Sequence, residues 1–198
     1  MTFSLEWDSR FKKNKNISVW PWSDLVSYVK RYSNFSKKNP KVLELGCGPG
    51  ANIPFFLSIT QNYYAIEGSS TIVKQLVKKF PKLKNNLVVG DFTLKIPFQK
   101  KFDMIYDRAA ITHNDTKSIL NCLENIHNKL NKNGLFIGID WFSTQHSDFV
   151  NGSHVDSFTK NNFKKGQFAN VGNVHFTNKS HLLKLFKKFE ILVLEHKV

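Results

Sequence analysis

The chain has 198 residues, a length that suits one domain with a core of ordinary size, and it shows no internal repeat, linker or second domain. Its apolar content of 41% and charged content of 22% are those of a soluble globular protein. Lys and Arg (29) outnumber Asp and Glu (15), and the net charge of +14 fits either solvated basic faces or attraction to an anionic metabolite or RNA.

The cysteines and the N-terminus indicate the compartment. Cys47 and Cys122 are the two cysteines, and they show neither a pairing pattern nor a Cys/His metal spacing. The first residues alternate apolar with charged side chains and contain no uninterrupted hydrophobic segment, as a signal peptide or membrane span would. We therefore expect a cytoplasmic protein that does not associate with a membrane.

Residues 1–38 precede the first predicted strand and carry three of the four tryptophans. Ser23 or Asp24 could cap a helix that continues to about Tyr32. We expect this segment to form an N-terminal helical cap on the domain.

The stretch from residue 42 to residue 50 reads Val-Leu-Glu-Leu-Gly-Cys-Gly-Pro-Gly. A short apolar run that ends in glycine is typical of a buried parallel strand followed by a tight turn. The glycines permit positive φ and allow a ligand to approach the main chain closely. Because a buried strand should not carry a carboxylate without a partner, Glu44 predicts a ligand with a cation or a hydrogen-bond donor.

Two cofactor classes fit this turn. Gly46, Gly48 and Ala51 have the spacing of a dinucleotide site, but Glu44 would repel a pyrophosphate. The whole string closely resembles motif I of the class I S-adenosylmethionine (SAM)-dependent methyltransferases. The resemblance implies that the turn lies against the methionine half of SAM, whose ammonium and sulfonium groups are both positive. The cofactor contacts that it implies here are Glu44, Gly46, Cys47, Gly48 and Gly50.

The next two predicted strands each end in an acid. Residues 63–67 form the second strand, and Glu67 at its end can accept both hydroxyls of a ribose, so Glu67 and Gly68 are candidate cofactor residues. Residues 86–92 form the third strand. The resemblance implies that Asp91 reaches the adenine amino group and that Phe92 flanks the ring. A dinucleotide site has no matching need for Asp91.

The remaining elements complete an α/β pattern. Apolar spacing predicts helices over residues 52–59, 69–80, 116–130 and 180–189, and further strands over residues 102–107, 135–140 and 190–195. The resemblance implies a three-layer α/β/α sandwich with a doubly wound, mostly parallel sheet of six or seven strands. The family's seventh strand follows the sixth, and only Lys197 and Val198 remain here to form it.

The segment after the fourth strand, from Asp107 to His113, should border the reaction centre, because ligands of open α/β sheets lie beyond the carboxyl ends of the strands. It lacks the Asn/Asp-Pro-Pro-aromatic motif of base and glutamine amino-methyltransferases and the Pro-Cys nucleophile of cytosine C5 enzymes. Its Asp-Arg-Ala-Ala run is faintly similar to the thiopurine methyltransferase branch. Asp107 is a candidate for catalysis and cofactor binding, and His113 is the candidate base, with a pKa expected near neutrality.

The segment after the fifth strand is the expected substrate side. Asp140 with Asp107 resembles the metal carboxylates of the catechol O-methyltransferase family, but Trp141 stands where that family has an amide, so we expect no metal. Residues 143–175 are polar and irregular, and a loop this long is usually functional or disordered. We expect a mobile substrate lid. The candidate substrate contacts are Trp20, Arg108, Trp141, His146 and His154.

The sequence thus predicts one domain with an N-terminal cap (1–38), a SAM-binding core (40–142), a lid (143–175) and a last helix and strand (178–196). We expect methyl transfer from SAM, with S-adenosylhomocysteine as product, to a small anionic metabolite at a hydroxyl, such as a sugar in a surface-glycan precursor. Nucleic acid is a possible acceptor that the scattered basic residues do not favour. Transfer to nitrogen or sulfur, a nicotinamide-dependent reductase and a non-catalytic SAM-binding module stay open, as does the oligomeric state.

Overall fold

The computed structural model describes residues 5–13, 18–33 and 39–197, with side chains from residue 7 onward within those ranges. The α-helices are α1 (Leu5–Lys12), α2 (Ser23–Tyr32), α3 (Ile53–Leu57), α4 (Ser70–Lys79), α5 (Thr116–Lys129) and α6 (Lys179–Leu185). The strands are β1 (Val42–Leu45), β2 (Tyr63–Glu67), β3 (Leu87–Val89), β4 (Phe102–Arg108), β5 (Leu130–Ile139), β6 (Phe142–Ser143), β7 (Ser153–His154), β8 (Thr159–Asn161) and β9 (Val174–Thr177). Parts of the predicted N-terminal cap (1–4, 14–17 and 34–38) lie outside the described residues.

The main sheet has the strand order β3-β2-β1-β4-β5, and every neighbouring pair is parallel. The order reverses at β1, which lies between β2 and β4. The carboxyl ends of β1, β2 and β4 therefore meet at the switch point where open α/β sheets bind ligands. The predicted doubly wound class is confirmed.

Alternate residues of each strand supply two cores, one on each face of the sheet. Val42, Ala65 and Tyr106 pack on the face that α2, α3 and α4 cover. Leu43 and Ile66 pack on the face that α5 and α6 cover. The three layers follow directly from this alternation.

Residues 142–177 are more regular than the sequence suggests. They contain a second sheet of order β6-β9-β8-β7, in which β8 pairs antiparallel with both neighbours. A separate cluster of buried side chains stabilises it. Its members are Phe163, Phe168, Val171, Val174 and Phe176. The predicted irregular loop is therefore a small folded unit, because its widely spaced phenylalanines meet only in three dimensions.

Two predicted boundaries and one predicted strand differ from the structure. Helix α2 begins at Ser23, but Trp22 is the N-cap residue and no side chain caps it. Residues 131–134, which lie between the predicted helix (116–130) and the predicted strand (135–140), belong to β5, where a register shift accommodates Asn133 at φ 62°. Residues 190–195 form no strand, and the described part of the main sheet has five strands rather than six or seven.

The C-terminal segment instead crosses to the α2 side of the sheet. Glu195 accepts a hydrogen bond of 2.5 Å from the hydroxyl of Tyr28, and the Lys197 ammonium lies 3.7 Å from the carboxylate of Asp24. Among the described residues, no helix has the length and apolar character that crossing a bilayer requires.

Candidate active site

The glycine turn after β1 has the geometry that the sequence predicts. Gly46 and Gly48 have φ of 66° and 48°, values that non-glycine residues rarely adopt. A Cβ at Gly46 would collide with the side chain of Ala110, whereas the atom nearest to a Cβ at Gly48 would be Phe11 Cζ, at 3.9 Å. The turn thus packs against the end of β4 on one side and leaves room beside Gly48.

Glu67, at the end of β2, holds this turn. Its two carboxylate oxygens accept hydrogen bonds of 2.8 Å from the backbone N–H groups of Gly48 and Ser69. Burial raises the pKa of Glu67, and these N–H groups oppose the rise. The carboxylate lies where the sequence predicts a ribose acceptor, and it also fixes the position of the glycine turn.

Glu44 differs from its prediction. Its side chain is buried, its Oε1 accepts a hydrogen bond of 2.9 Å from Asn52 Nδ2, and its Oε2 accepts one from the hydroxyl of Tyr63. Burial raises its pKa to about 7. Donors of the chain itself satisfy the carboxylate, so it does not require the ligand cation or hydrogen-bond donor that the sequence predicts.

Asp91 and Phe92 lie beyond β3. Asp91 Oδ1 accepts hydrogen bonds from the N–H (2.9 Å) and the hydroxyl (2.6 Å) of Thr93, but Oδ2 is buried with no hydrogen-bond partner among the described residues. The ring of Phe92 borders Gly46: its Cε1 would lie 3.7 Å from a Cβ there. A buried acceptor without a donor thus precedes Phe92, whose ring contacts the glycine turn.

Asp107 is the penultimate residue of β4 and precedes a strained turn. Its Oδ1 accepts hydrogen bonds of 2.9 Å from the N–H groups of Ala110 and Ile111, while Oδ2 has no partner among the described residues. Ala109 has φ of 55°, an uncommon conformation for a residue with a Cβ. Burial raises the pKa of Asp107 to about 7. The carboxylate holds the Asp-Arg-Ala-Ala segment against the glycine turn.

His113 lies one turn further on. Its Nδ1 is 2.9 Å from the carbonyl oxygen of Asn173, so Nδ1 carries the proton and Nε2 is the free acceptor. The ring packs edge-on against Trp7, with centroids 5.0 Å apart. Burial lowers its pKa to about 4. The expectation of a pKa near neutrality is wrong, since the sequence does not show how completely this ring is desolvated.

Arg108 forms a second centre beside the turn. Its guanidinium lies 3.5 Å from the ring centroid of Trp22, and its Nη2 is 2.8 Å from the Asp140 carboxylate. Its Nε is buried without a partner in the described part of the chain. Asn52 accepts a 3.3 Å hydrogen bond from the N–H of Trp22 and so links this centre to Glu44. The sequence analysis missed the roles of Asn52 and Trp22, whose only signal is their place at or just before the start of a predicted helix.

Helix α1 packs over the glycine turn and its neighbours. Asp8 accepts a hydrogen bond from the hydroxyl of Ser69, and Phe11 lies beside the turn at Gly48. Arg10 donates a 3.2 Å hydrogen bond to the carbonyl of Ala169, in the 143–175 segment. Helix α1 therefore bridges the predicted cofactor side and the predicted lid.

The other predicted substrate contacts are dispersed. Trp20 is 81% exposed, and His154 is exposed in β7. Trp141 packs edge-on against Phe186, on the α6 side of the sheet. His146 lies within the aromatic cluster of the second sheet, with its Nε2 3.3 Å from Gln167 Oε1. Of the five candidates, the geometry brings Arg108 to the glycine turn and leaves these four outside it.

The last two predicted cofactor contacts are Cys47 and Gly68. The thiol of Cys47 is buried in the turn, and burial raises its pKa. Gly68 follows Glu67 directly and adjoins Ser69, the N-cap residue of α4. In the described part of the chain, no group of three or more His, Cys, Asp or Glu side chains could hold a metal ion.

Comparison with known proteins gives the family of this region. Residues 42–134 match the family model described as a methyltransferase domain. A curated relative, an uncharacterized protein of Methanocaldococcus jannaschii, is 25% identical over 155 residues. That match covers 75% of this chain and 40% of the relative, so the chain spans less than half the length of the curated relative that it matches.

Solved structures share the fold. A Bacillus halodurans protein aligns with a TM-score of 0.63 at 18% identity, covering 84% of this chain and 68% of that one. An S-adenosylmethionine-dependent methyltransferase from Clostridium acetobutylicum aligns with a TM-score of 0.61 at 17% identity, covering 92% and 78%. The Bacillus subtilis protein YcgJ aligns with a TM-score of 0.57 at 19% identity, covering 77% and 62%.

Proposed function

We propose that the chain is a class I SAM-dependent methyltransferase, as the match of residues 42–134 to a methyltransferase domain supports, and that it transfers the methyl group of SAM to a hydroxyl of a small anionic metabolite, such as a sugar in a glycan precursor. The observation that carries this proposal is the convergence of the glycine turn, Glu67 and Asp91 at neighbouring strand ends. SAM is the cofactor of the family, and S-adenosylhomocysteine is the product.

The residues present fit the cofactor. The unpartnered Asp91 Oδ2 would accept the adenine amino group, and the Glu67 carboxylate would accept ribose hydroxyls with its remaining lone pairs. The backbone from Gly46 to Gly50 would adjoin the methionine portion. SAM supplies an electrophilic methyl group on a positive sulfonium.

The charge around the turn suits a cationic ligand. Glu44, Glu67 and Asp107 lie buried at the ends of three adjacent strands, and burial raises the pKa of each. A positive charge beside them stabilises their ionised forms. Glu44 would act through this field and through Asn52, without touching the cofactor.

We assign to Arg108 the binding of the anionic group of the methyl acceptor. The unpaired Nε and the planar face on Trp22 leave the guanidinium oriented but incompletely satisfied. Such a group binds a carboxylate or phosphate with a fixed geometry. Asp140 keeps the guanidinium in place when no acceptor is bound.

We assign to His113 the role of the base that accepts the proton of the attacking hydroxyl. Its Nδ1–H is held by the Asn173 carbonyl, which directs the lone pair of Nε2 away from that contact. With a pKa of about 4, the ring is neutral and able to accept a proton at physiological pH. The chain's contribution is otherwise positioning and exclusion of water, which α1 and residues 143–175 would provide.

The cofactor assignment is tested by Asp91→Asn. The amide keeps the oxygen that accepts from Thr93 and places an N–H₂ group where Oδ2 lies. Two hydrogen-bond donors, this N–H₂ group and the adenine amine, would then face each other. We expect S-adenosylhomocysteine affinity, measured by calorimetry, to fall by about 1–3 kcal/mol, with an unchanged melting temperature. Asp115→Asn, at the N-terminus of α5, is the control. Unchanged affinity in Asp91→Asn contradicts the assignment.

The activity is tested by transfer of labelled methyl from SAM to fractionated small molecules and to RNA. Label in an anionic small-molecule fraction supports the proposal, and Arg108→Gln should raise KM more than it lowers kcat. Label in RNA alone, or no label from a protein that binds S-adenosylhomocysteine, contradicts it. A melting temperature raised by NADH and not by S-adenosylhomocysteine would indicate a reductase instead.

A further inference from the structure

The outward face of α4 and the turn that follows it form a basic strip. Five lysines fall within eleven residues, and residues 68–90 contain no Asp or Glu. The five are Lys74, Lys78, Lys79, Lys82 and Lys84, and all are exposed. The nearest acids in sequence, Glu67 and Asp91, face the candidate active site. We call these five residues the α4 strip.

The α4 strip combines a high density of lysines with a lack of counter-charge, because residues 68–90 supply no acid to any of them. Lys12 lies 2.7 Å from Asp8, and Lys188 lies 2.5 Å from Glu124. No lysine of the strip forms an ion pair with any side chain that the structure describes. A row of like charges without partners costs self-repulsion that a bound polyanion would relieve.

The arrangement is linear. Lys74 and Lys78 are four residues apart on the helix, about 6 Å along its axis, and both lie opposite the buried side chains Ile72, Val73 and Leu76. Lys82 continues the row in the short helix after α4. The half-buried ring of Phe80 lies beside it, with Lys79 Nζ 5.3 Å from the ring centroid.

We propose that the α4 strip binds the sugar–phosphate backbone of a single-stranded nucleic acid, independently of the methyl acceptor. A row of lysines can pair with the phosphates of one strand, and the adjoining aromatic ring offers a surface on which a base can stack. Single-strand sites that tolerate many sequences combine these two features. The strip is one helix wide, which suits one strand better than the two backbones of a duplex. The few apolar side chains along it disfavour a membrane surface.

The test uses the whole chain and fluorescein-labelled U20 RNA and T20 DNA, with anisotropy measured from 25 to 150 mM salt. Each neutralised phosphate contributes about −0.7 to the slope of log K against log[salt] for single strands, so five contacts give about −3.5. The triple variant K74Q/K78Q/K82Q should reduce the magnitude of that slope by about 2 and weaken binding of whichever probe the wild type prefers.

The control variant is K117Q/K132Q/K187Q, which removes the same charge from three exposed lysines elsewhere. It should keep most of the slope. Equal losses in the two triple variants would show that net charge alone drives binding and would overturn the proposal. Absence of binding at 25 mM salt, or binding to phosphatidylserine vesicles but to neither oligonucleotide, would also overturn it. Melting temperatures of both variants establish that they are folded.

Discussion

At the scale of single residues, Glu44 shows how a buried carboxylate is kept in a sheet. Its ionised form accepts from Tyr63 and Asn52, yet burial still raises its pKa to about 7. A carboxyl whose pKa is raised on folding contributes stability below its unfolded pKa of about 4.5 and loses it as the pH rises through 7. Above that pH the two donors limit the cost of the charge.

Tyr63→Phe should therefore destabilise the protein by about 1–3 kcal/mol at pH 8, because it leaves an ionised oxygen without its donor. The loss should be smaller at pH 5, where Glu44 is protonated. Urea unfolding at the two pH values measures it. Tyr64→Phe is the matched control, since that hydroxyl meets Lys100 on the opposite face. A pH-independent loss in Tyr63→Phe would mean that Glu44 does not titrate near 7.

The same carboxylates should make the site distinguish SAM from its product. Glu44 and Asp107 ionise as the pH rises through about 7, and only SAM carries the sulfonium charge. We expect the preference for SAM over S-adenosylhomocysteine to increase roughly three- to tenfold between pH 6 and pH 8. Calorimetry with both ligands measures the ratio. Asp107→Asn should flatten the dependence, and a preference that falls with pH would contradict this electrostatic account.

At the scale of elements, local patterns predict the nucleotide-binding half well. Residues 63–67 form β2 as predicted, and β1 and β4 agree within a few residues, because apolar runs ended by glycine or acid are locally unambiguous. The predicted strand at 190–195 fails although four consecutive residues there are aliphatic. Strand formation needs a paired edge, and the segment crosses to α2 instead.

The contacts of the site are likewise of two kinds, those that local sequence spacing reveals and those that only the fold brings together. The glycine turn, Glu67 and Asp91 are positioned by strand ends, which sequence spacing reveals. Arg108 and Trp22 meet only because the chain before β1 returns to the end of β4, a contact between distant segments that no local pattern encodes. The burial that lowers the pKa of His113 likewise comes from distant segments, since Trp7 of α1 and Phe142 of β6 both pack against the ring.

The second sheet gives the lid prediction a sharper test. Deleting residues 147–173 would remove β7 and β8 and expose the core around Phe176, so a point change is preferable. Phe168→Ala should loosen this unit, with a cost of about 3–5 kcal/mol for a buried phenylalanine. Methyl transfer should fall strongly while S-adenosylhomocysteine affinity stays within a few-fold.

The control for this change is Phe189→Ala, which lies in the cluster on the α6 side and should leave the ratio of activity to affinity unchanged. If Phe168→Ala loses affinity in step with activity, residues 143–175 serve the cofactor site and the proposed division between cofactor and acceptor is incorrect. Limited proteolysis with and without ligand reports the lid's mobility directly.

At the scale of the whole molecule, two sets of buried groups oppose each other in their response to pH. Glu44 and Asp107 have pKa values raised to about 7, so the folded chain holds protons that the unfolded chain releases between about pH 4.5 and 7. His113 and His175 have pKa values lowered to about 4, so the unfolded chain binds protons that the folded chain excludes between about pH 4 and 6.5. The carboxyls lose stability as the pH rises through this window, and the histidines gain it.

Removing one histidine should expose the carboxyl contribution. In His113→Gln the amide can still donate to the Asn173 carbonyl, but the proton difference of the imidazole is gone. Relative to wild type, the variant should lose about 2–3 kcal/mol of stability between pH 4.5 and pH 6.5. Over this range the unfolded wild-type chain binds one proton more than the folded chain does, at the imidazole, and this difference is worth about 1.36 kcal/mol for each pH unit. Urea midpoints across this range measure the difference. Asn128→Gln, on the exposed face of α5, exchanges one neutral amide for another and should follow the wild-type profile. A His113→Gln profile parallel to wild type would mean that His113 titrates alike in the folded and unfolded chains, and its assignment as a desolvated ring that is neutral before it accepts the proton would then be incorrect.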